Sequence, residues 1–543
     1  MSSLRGDSEY AVRQLGDTIE DFRSSIDTQM RKVDDTTNQI QATTNQIYNS
    51  VNEFKQKMVK SEEVQLAHEN IIRIDQVIKE QFGDYDRIRR TIIGVVRDFD
   101  INLVRNKTIQ ELSEELWLTS SRYWLSYALI AVTSWVNDYP EVAANAITEC
   151  THRDKIKSTL FFTLLNLRFG RNEVARRWFS EYLKTLDPTF MQNEAAVMLQ
   201  AYISGTFGRD KALEAKVNET INEWIAIINE DAAIANDLVN AYAKYIEQMQ
   251  PSRPFSFEAI RQFCTNADQV EGVYRDMSKF APIKAMVDSL DVPDIEQRED
   301  NYKSRVDAVL TSLITNYDQE EDELKTQQQY YNLIIKNNGD REDAEAQYQE
   351  ILRLKGEGFN IGRQLIGWVL YSNNEDTDVH VRKFALSHTK GWLVQAMNNF
   401  YANIQQRFPT GYKLKIDGWE GMSNGADQAE QEKELREYFN THKLTMVYLN
   451  VPNAVAAVAA VLCMGLSFVS LYFLIGVVLG LGFLGFNVFR ALKAFPVRVQ
   501  SAVEALGRTI TQIGMFKRFC ADATNTKNLI AEELEYKFIA PGQ

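Results

Sequence analysis

From Leu444 to Phe489 the chain runs 46 residues without an Asp, Glu, Lys, Arg or His, although 25% of the whole sequence is charged. An α-helix rises about 1.5 Å per residue and bilayer hydrocarbon is about 30 Å thick, so one crossing takes about 20 apolar residues and this run is long enough for two. Between Ala454 and Asn487 the polar side chains are Ser467, Ser470 and Tyr472, which puts a turn near Gly465 to Tyr472. The pattern predicts a two-span transmembrane hairpin. One strongly tilted span with a half-buried segment is the other arrangement this length allows.

Basic residues guard both ends of the run and none lies between. Lys433, Arg436 and Lys443 precede it, and Arg490, Lys493 and Arg498 follow. Cytoplasmic flanks carry an excess of Lys and Arg, so both ends of the hairpin, and both termini with them, are expected in the cytoplasm of an integral membrane protein. Met1 to Asp17 has no apolar core of the length a signal peptide needs, so the bulk of the protein is expected to stay where it is made. Within the run, Gly476 and Gly480 form a small-xxx-small pair with Gly482 and Gly485 just beyond. Such positions let helix backbones approach closely in lipid.

The rest of the chain reads as all-α. Ten prolines punctuate 543 residues, and none occurs before Pro140. Long uninterrupted helices follow from that scarcity. From Asp17 to Phe82 no Gly or Pro occurs, a stretch that as one helix extends about 99 Å. Apolar or small β-branched residues recur there in steps of three and four, at Ile19, Phe22, Ile26, Met30, Val33, Thr37, Ile40, Thr44, Ile47, Val51, Phe54 and Met58. This is a heptad seam, with Thr36-Thr37-Asn38-Gln39-Ile40 repeated one heptad later as Thr43-Thr44-Asn45-Gln46-Ile47. The seam predicts a coiled coil with a protein partner or with further copies of the chain. The alternative is an amphipathic helix packed on its own protein.

Segments of apolar helix separated by short breaks follow, from residue 84 to about 292, in the manner of stacked helical hairpins. Leu160 to Pro188 resembles a tetratricopeptide unit, with Ala175, Phe179 and Tyr182 after a Gly-containing turn and Pro188 closing the second helix. The resemblance implies helical-repeat architecture. Tyr123 to Val136 lacks charge over 14 residues, a length that suits a buried core helix better than a membrane span. The heptad seam returns from Asn301 to Lys336 at Val306, Leu310, Leu313, Tyr317, Leu324, Tyr331 and Ile334. Asn337 to Asp340 then turns the chain into an antiparallel partner helix that Asp340 is placed to cap. A further helical stretch is expected from Ile361 to Phe408, interrupted near Asn373 to Asp378. Tyr412 to Ile416 alternates like a strand, but with no second strand beside it an ordered loop is expected.

Beyond the hairpin, Val499, Val503, Leu506, Ile510 and Ile513 mark one helix face. With Arg490, Lys493, Arg498, Arg508, Lys517 and Arg518 this reads as a basic amphipathic helix on the anionic headgroups of a leaflet. An ordinary helix folding back on the soluble part is the other reading. The domain plan is therefore 1–83 N-terminal coiled coil, 84–292 helical-repeat-like domain, 293–358 coiled-coil hairpin, 359–443 helical juxtamembrane domain, 444–489 transmembrane hairpin and 490–543 basic amphipathic segment.

Chemistry is hard to find in this sequence. The net charge of −14 argues against nucleic acid as a partner. Lys355 to Gly362 misses the dinucleotide glycine spacing and follows a helix instead of a strand. No Gly-Lys-Ser/Thr phosphate loop occurs. The five histidines never take the i, i+4 spacing of a helical zinc site. Cys150 and His152 stand two apart without further ligands, and the acidic pairs Glu320-Glu321 and Glu532-Glu533 read as solvated helix faces. No enzyme activity, cofactor or metal is expected. The sequence points to a membrane-anchored coiled-coil scaffold or assembly protein facing the cytosol. The alternative is a membrane-permeabilising effector, because a hydrophobic hairpin joined to long helices resembles the layout of pore-forming colicins and α-helical pore-forming toxins.

Overall fold

A computed structural model describes residues 3–98, 120–208, 210–293, 300–356, 358–371, 378–449, 451–466 and 473–539; side chains are described throughout these except at 3–27, 29, 30, 33, 97–98, 300–302, 354, 465–466 and 473–474. In chain order the helices are α1 (Ser3–Asp98), α2 (Trp124–Val136), α3 (Pro140–Arg153), α4 (Lys155–Arg168), α5 (Asn172–Leu183), α6 (Asn193–Ile203), α7 (Lys211–Glu230) and α8 (Ala232–Gln248). Next come α9 (Glu258–Phe263), α10 (Ala267–Met277), α11 (Phe280–Leu290), α12 (Asp300–Thr315), α13 (Gln319–Lys336), α14 (Arg341–Lys355), α15 (Ile361–Leu370) and α16 (Val379–Gln406). A hairpin of β1 (Tyr412–Ile416) and β2 (Trp419–Ser423) precedes α17 (Gln428–Lys443), α18 (Val451–Leu466) and α19 (Phe473–Tyr536). The all-α expectation holds, and the chain divides into two compact units, 1–158 with 311–357, and 159–310 with 358–543.

In the first unit α1 is a single helix of 96 residues that passes through Gly83. Its C-terminal half buries Ala67, Ile74, Ile78, Phe82, Ile88 and Ile92. Helices α13 and α14 form the expected antiparallel pair, and α13 lies along α1. Asp340 caps α14 by accepting from the Asp343 N–H, and its carboxylate also takes a 2.8 Å bond from Lys60. The turn before it needs Gly339 twice over. Its φ is +84°, and a Cβ there would collide with the Lys60 backbone. Trp124 to Thr133 is buried almost throughout, so α2 is the core helix its length suggested.

Two expectations need correction here. The seam from Asn301 to Lys336 is not one helix, since α12 ends at Thr315 and the extended Asp318 starts α13 afresh, its carboxylate holding Lys157 at 3.1 Å. Nor is Glu321 on a solvated face. It is buried and bonded to Arg89 of α1.

The second unit packs α8, α15 and α16 together and wraps α9, α10, α11, α16 and α17 around α19. Tyr242 and Thr389 join α8 to α16 by a buried 2.7 Å hydrogen bond, while Trp392 Nε1 donates to Asn229 at 2.9 Å. In the tetratricopeptide-like stretch, Gly170 turns the chain at φ +68°, Ala175, Phe179 and Tyr182 are buried, and the rings of Phe162 and Trp178 lie 5.0 Å apart. The strand-like Tyr412 to Ile416 is a true strand, because β2 pairs with it antiparallel from Ile416↔Trp419 to Tyr412↔Ser423. Asp417 and Gly418 make the two-residue turn, both with positive φ (49° and 89°), the backbone a right-twisted hairpin favours. That Asp-Gly pair was a legible signal. Gly421 in the middle of β2 hid the second strand, since glycine weakens a strand pattern.

Candidate membrane hairpin and its junctions

Two stretches of helix, Gln428–Met464 and Ile475–Tyr536, are long and apolar enough to cross a membrane. A core helix of a soluble protein passes the same test, but it is covered by its own chain. Here the protein buries only 18% of the first apolar window and 6% of the second. Val451, Val455, Val458 and Val461 stand exposed on α18, as do Ile475, Val478, Leu479 and Phe486 on α19. Apolar surface of this extent calls for a cover other than water. The turn expected near Gly465 to Tyr472 falls between α18 and α19, and its residues 467–472 lie outside the described residues.

The two helices pack on each other through part of the glycine set. A Cβ on Gly476 would stand 3.0 Å from Cys463 Sγ, and one on Gly480 would stand 3.1 Å from the Ala460 Cβ. Both glycines therefore face α18. Gly482 and Gly485, which the sequence groups with them, have nothing within 4 Å and take no part in that contact.

Just before α18 the helix changes pitch. Leu444–Tyr448 is a π-turn, in which the Leu449 N–H bonds the Leu444 carbonyl. Four residues after Tyr448 stands Pro452, which has no N–H to offer the Tyr448 carbonyl. The buried Asn453 supplies the missing donor. Its Nδ2 donates to the Val447 and Tyr448 carbonyls at 3.1 and 3.3 Å. Nothing in the charge pattern pointed to this residue, although a Pro-Asn pair at the mouth of an apolar run was the signal to look for.

The second apolar helix has no such break. Helix α19 continues from the apolar stretch through Arg490 and Pro496 into the buried core of the second unit, as one helix of 64 residues. Its far part is core. Ala502, Leu506, Ile510, Ile513 and Phe516 are buried. Phe516 meets Phe257 and Tyr412 at 6.4 and 6.3 Å, and Phe519 lies 4.3 Å from Tyr274. Gln512 Oε1 accepts the Ala259 N–H at 2.8 Å and the Ile260 N–H at 3.3 Å, satisfying donors that the start of α9 leaves open. The Lys390 ammonium reaches the Phe538 carbonyl at 3.0 Å near the end of α19.

This corrects the reading of residues 499–513 as a face laid on headgroups. Leu506, Ile510 and Ile513 are buried in the protein and not laid on lipid: Ile513 lies against Gly425, and α9 and α17 both pack on α19. The basic residues divide accordingly. Arg498 pairs with Asp417 in the β-turn, whose hydrogen bonds hold the guanidinium above its ordinary pKa. Lys517 donates to the Asn424 carbonyl. Arg490, Lys493, Arg508 and Arg518 are exposed, with the Lys493 ammonium 4.9 Å above the Phe489 ring at the edge of the apolar stretch.

The heptad seam of α1 is uncovered wherever its side chains are described. Ile40, Ile47, Val51, Phe54 and Met58 are 62%, 60%, 58%, 69% and 55% exposed. The side chains of Ile26, Met30 and Val33 lie outside the described residues. Burial pushes the Cys150 thiol up to about 12, and it hydrogen-bonds Ser158 at 3.1 Å, so the Cys150/His152 pair offers no thiolate at neutral pH. Among the described residues no three His, Cys, Asp or Glu side chains group to hold a metal ion. No family model, curated protein or solved structure matches the chain, so its function has to be read from its own geometry.

Proposed function

We propose that the chain is a non-enzymatic, membrane-anchored assembly protein. The α18–α19 hairpin is its two-span anchor, the soluble units and both termini face the cytoplasm, and the long α1 helix offers a seam for coiled-coil association. The observation that carries this reading is the continuity of α19, whose apolar, uncovered start and protein-covered end belong to one helix. An anchor built this way ties the soluble core to the bilayer without a flexible joint. The basic residues on both flanks, Lys433, Arg436 and Lys443 before and Arg490, Lys493 and Arg498 after, support a shared cytoplasmic side. Exposed Arg490 and Lys493 sit where anionic headgroups would meet the end of the span.

The test is labelling from either side of the membrane. Thr441→Cys and Gln500→Cys are placed singly in a chain lacking the native cysteines, at positions that are exposed in the structure. Both should resist an impermeant thiol reagent in intact cells and react after lysis. Reaction of one alone from outside means a single crossing. A protein that stays dispersed without detergent has no anchor at all. Liposomes holding the purified chain should retain their dye, whereas release that Gly480→Leu abolishes would make the hairpin a permeabilising device instead.

A further inference from the structure

The uncovered seam of α1 carries enough detail to say what covers it. Resting on the reading of α1 as an assembly helix, we infer that the occupant is a second copy of this chain, with the two α1 helices parallel and in register along Asp34 to Glu62.

The seam is separate from the face that holds the first unit together. Ala67, which packs with Ile334 of α13 and Ala344 of α14, lies nine residues past Met58. Nine residues are about two and a half helical turns, so the two faces point in nearly opposite directions. Ile72, two heptads past Met58, is 67% exposed and continues the outward stripe. A partner helix can therefore cover the seam without displacing α13 or α14.

The polar members of the seam are already prepared for burial. Thr44 Oγ1 donates to the Ile40 carbonyl at 2.7 Å, and the flanking Thr36 and Thr43 hydroxyls donate to the Lys32 and Gln39 carbonyls at 2.6 and 2.8 Å. With its hydroxyl bonded inside its own helix, Thr44 can be covered without leaving an unpaired polar group.

Flanking charges choose the partner and its direction. With Thr37, Thr44, Val51 and Met58 at a and Ile40, Ile47 and Phe54 at d, the e positions are Asp34, Gln41, Tyr48, Lys55 and Glu62, and the g positions are Thr36, Thr43, Ser50 and Lys57. Interhelical e and g pairs set partner and orientation. In a parallel, in-register pair Lys57 of one copy meets Glu62 of the other, Ser50 meets Lys55, and no like charges oppose. An antiparallel overlap of the same stretch sets Asp34 against Glu62. Over Asp34 to Glu62 the parallel register thus opposes no like charges, whereas the antiparallel overlap of the whole stretch opposes two acids.

Cross-linking of the full-length protein in detergent decides the matter. In a chain lacking the native cysteines, Ile40→Cys and Phe54→Cys, each alone, should form a disulfide between copies on mild oxidation. Asn49→Cys, on the outer side of the same helix, should not. Helices running antiparallel can bring at most one of the two positions onto itself, so cross-linking at only one overturns the parallel register. Ile40→Asp with Ile47→Asp should lower the native mass to that of one chain while far-ultraviolet circular dichroism keeps its helical signal. A wild-type chain that is already monomeric in detergent overturns the proposal and leaves the anchor intact. A chain soluble without detergent that still cross-links at both positions overturns the anchor and leaves this proposal standing.

Discussion

Arg89 and Glu321 meet through two hydrogen bonds of 2.7 and 2.9 Å, with side chains only 5% and 3% exposed, although 232 residues separate them in the chain. The pair ties α1 to α13 beside a wall of rings. Tyr85 stacks on Tyr123 at 3.9 Å, and the Tyr317 ring lies 5.2 Å from the guanidinium carbon. Burial by itself would lower the Arg89 pKa, but the hydrogen bonds and charge of Glu321 hold it above its ordinary value.

A buried pair of this kind is costly to break and cheap to replace. Glu321→Ala strands a guanidinium inside the first unit and should cost about 3–5 kcal/mol, whereas Arg89→Met with Glu321→Leu removes both charges and should leave stability unchanged or raised. Denaturant unfolding in detergent, followed by the circular dichroism of the helices, measures both. A double variant as unstable as the single one would show that the pair itself, and not the unpaired charge, holds the helices together.

Inside the hairpin the glycines should separate by position. Gly480 faces the Cβ and backbone of Ala460, which have no freedom to move aside, so Gly480→Leu forces the helices apart at a cost of about 1–3 kcal/mol. Gly476→Leu meets the end of the Cys463 side chain and should cost less. Gly482→Leu and Gly485→Leu enter open space and should change stability by less than about 0.5 kcal/mol. Thermal unfolding of the four variants in one detergent gives the order, and equal losses at all four would contradict the packing.

Acid should loosen the second unit through His388. This imidazole is buried on α16 against the Phe384 ring at 4.7 Å, and among the described residues neither ring nitrogen has a hydrogen-bond partner. Burial, with a smaller effect of the Lys390 charge, lowers its pKa from 6.5 to about 4. The unfolded chain thus binds a proton near pH 6.5 that the folded chain refuses until about pH 4. The stabilisation is complete above pH 6.5 and disappears as the pH falls to 4, a loss of roughly 3 kcal/mol. His388→Leu should remove that part of the acid dependence, read as melting temperature between pH 7 and pH 4 beside the wild type.

The outline of the fold was legible because it rests on local signals. A long charge-free run, the scarcity of proline and the cap at Asp340 each act within a few residues of themselves, and the structure agrees with them. The sites were less legible. Four glycines share the same composition signal, yet Gly476 and Gly480 meet the neighbouring helix while Gly482 and Gly485 do not, which depends on how α18 and α19 are rotated about their axes. Glu321 looked like half of an ordinary surface pair because its partner stands on another helix far away in the chain.

By itself, then, the sequence determined that this protein is built from long helices and that one stretch of it needs a cover other than water. A helical period shows that a face must be buried, and it carries no information about what buries it. Tertiary structure decided that. It buried Leu506, Ile510 and Ile513 within the protein in place of lipid, turned Ala67 inward against α13 and α14, and left Ile40, Ile47 and Phe54 open on the opposite side of the same helix. Those outcomes follow from contacts between residues far apart in the chain, where the free energy of burial is shared by two surfaces and neither one alone specifies the other.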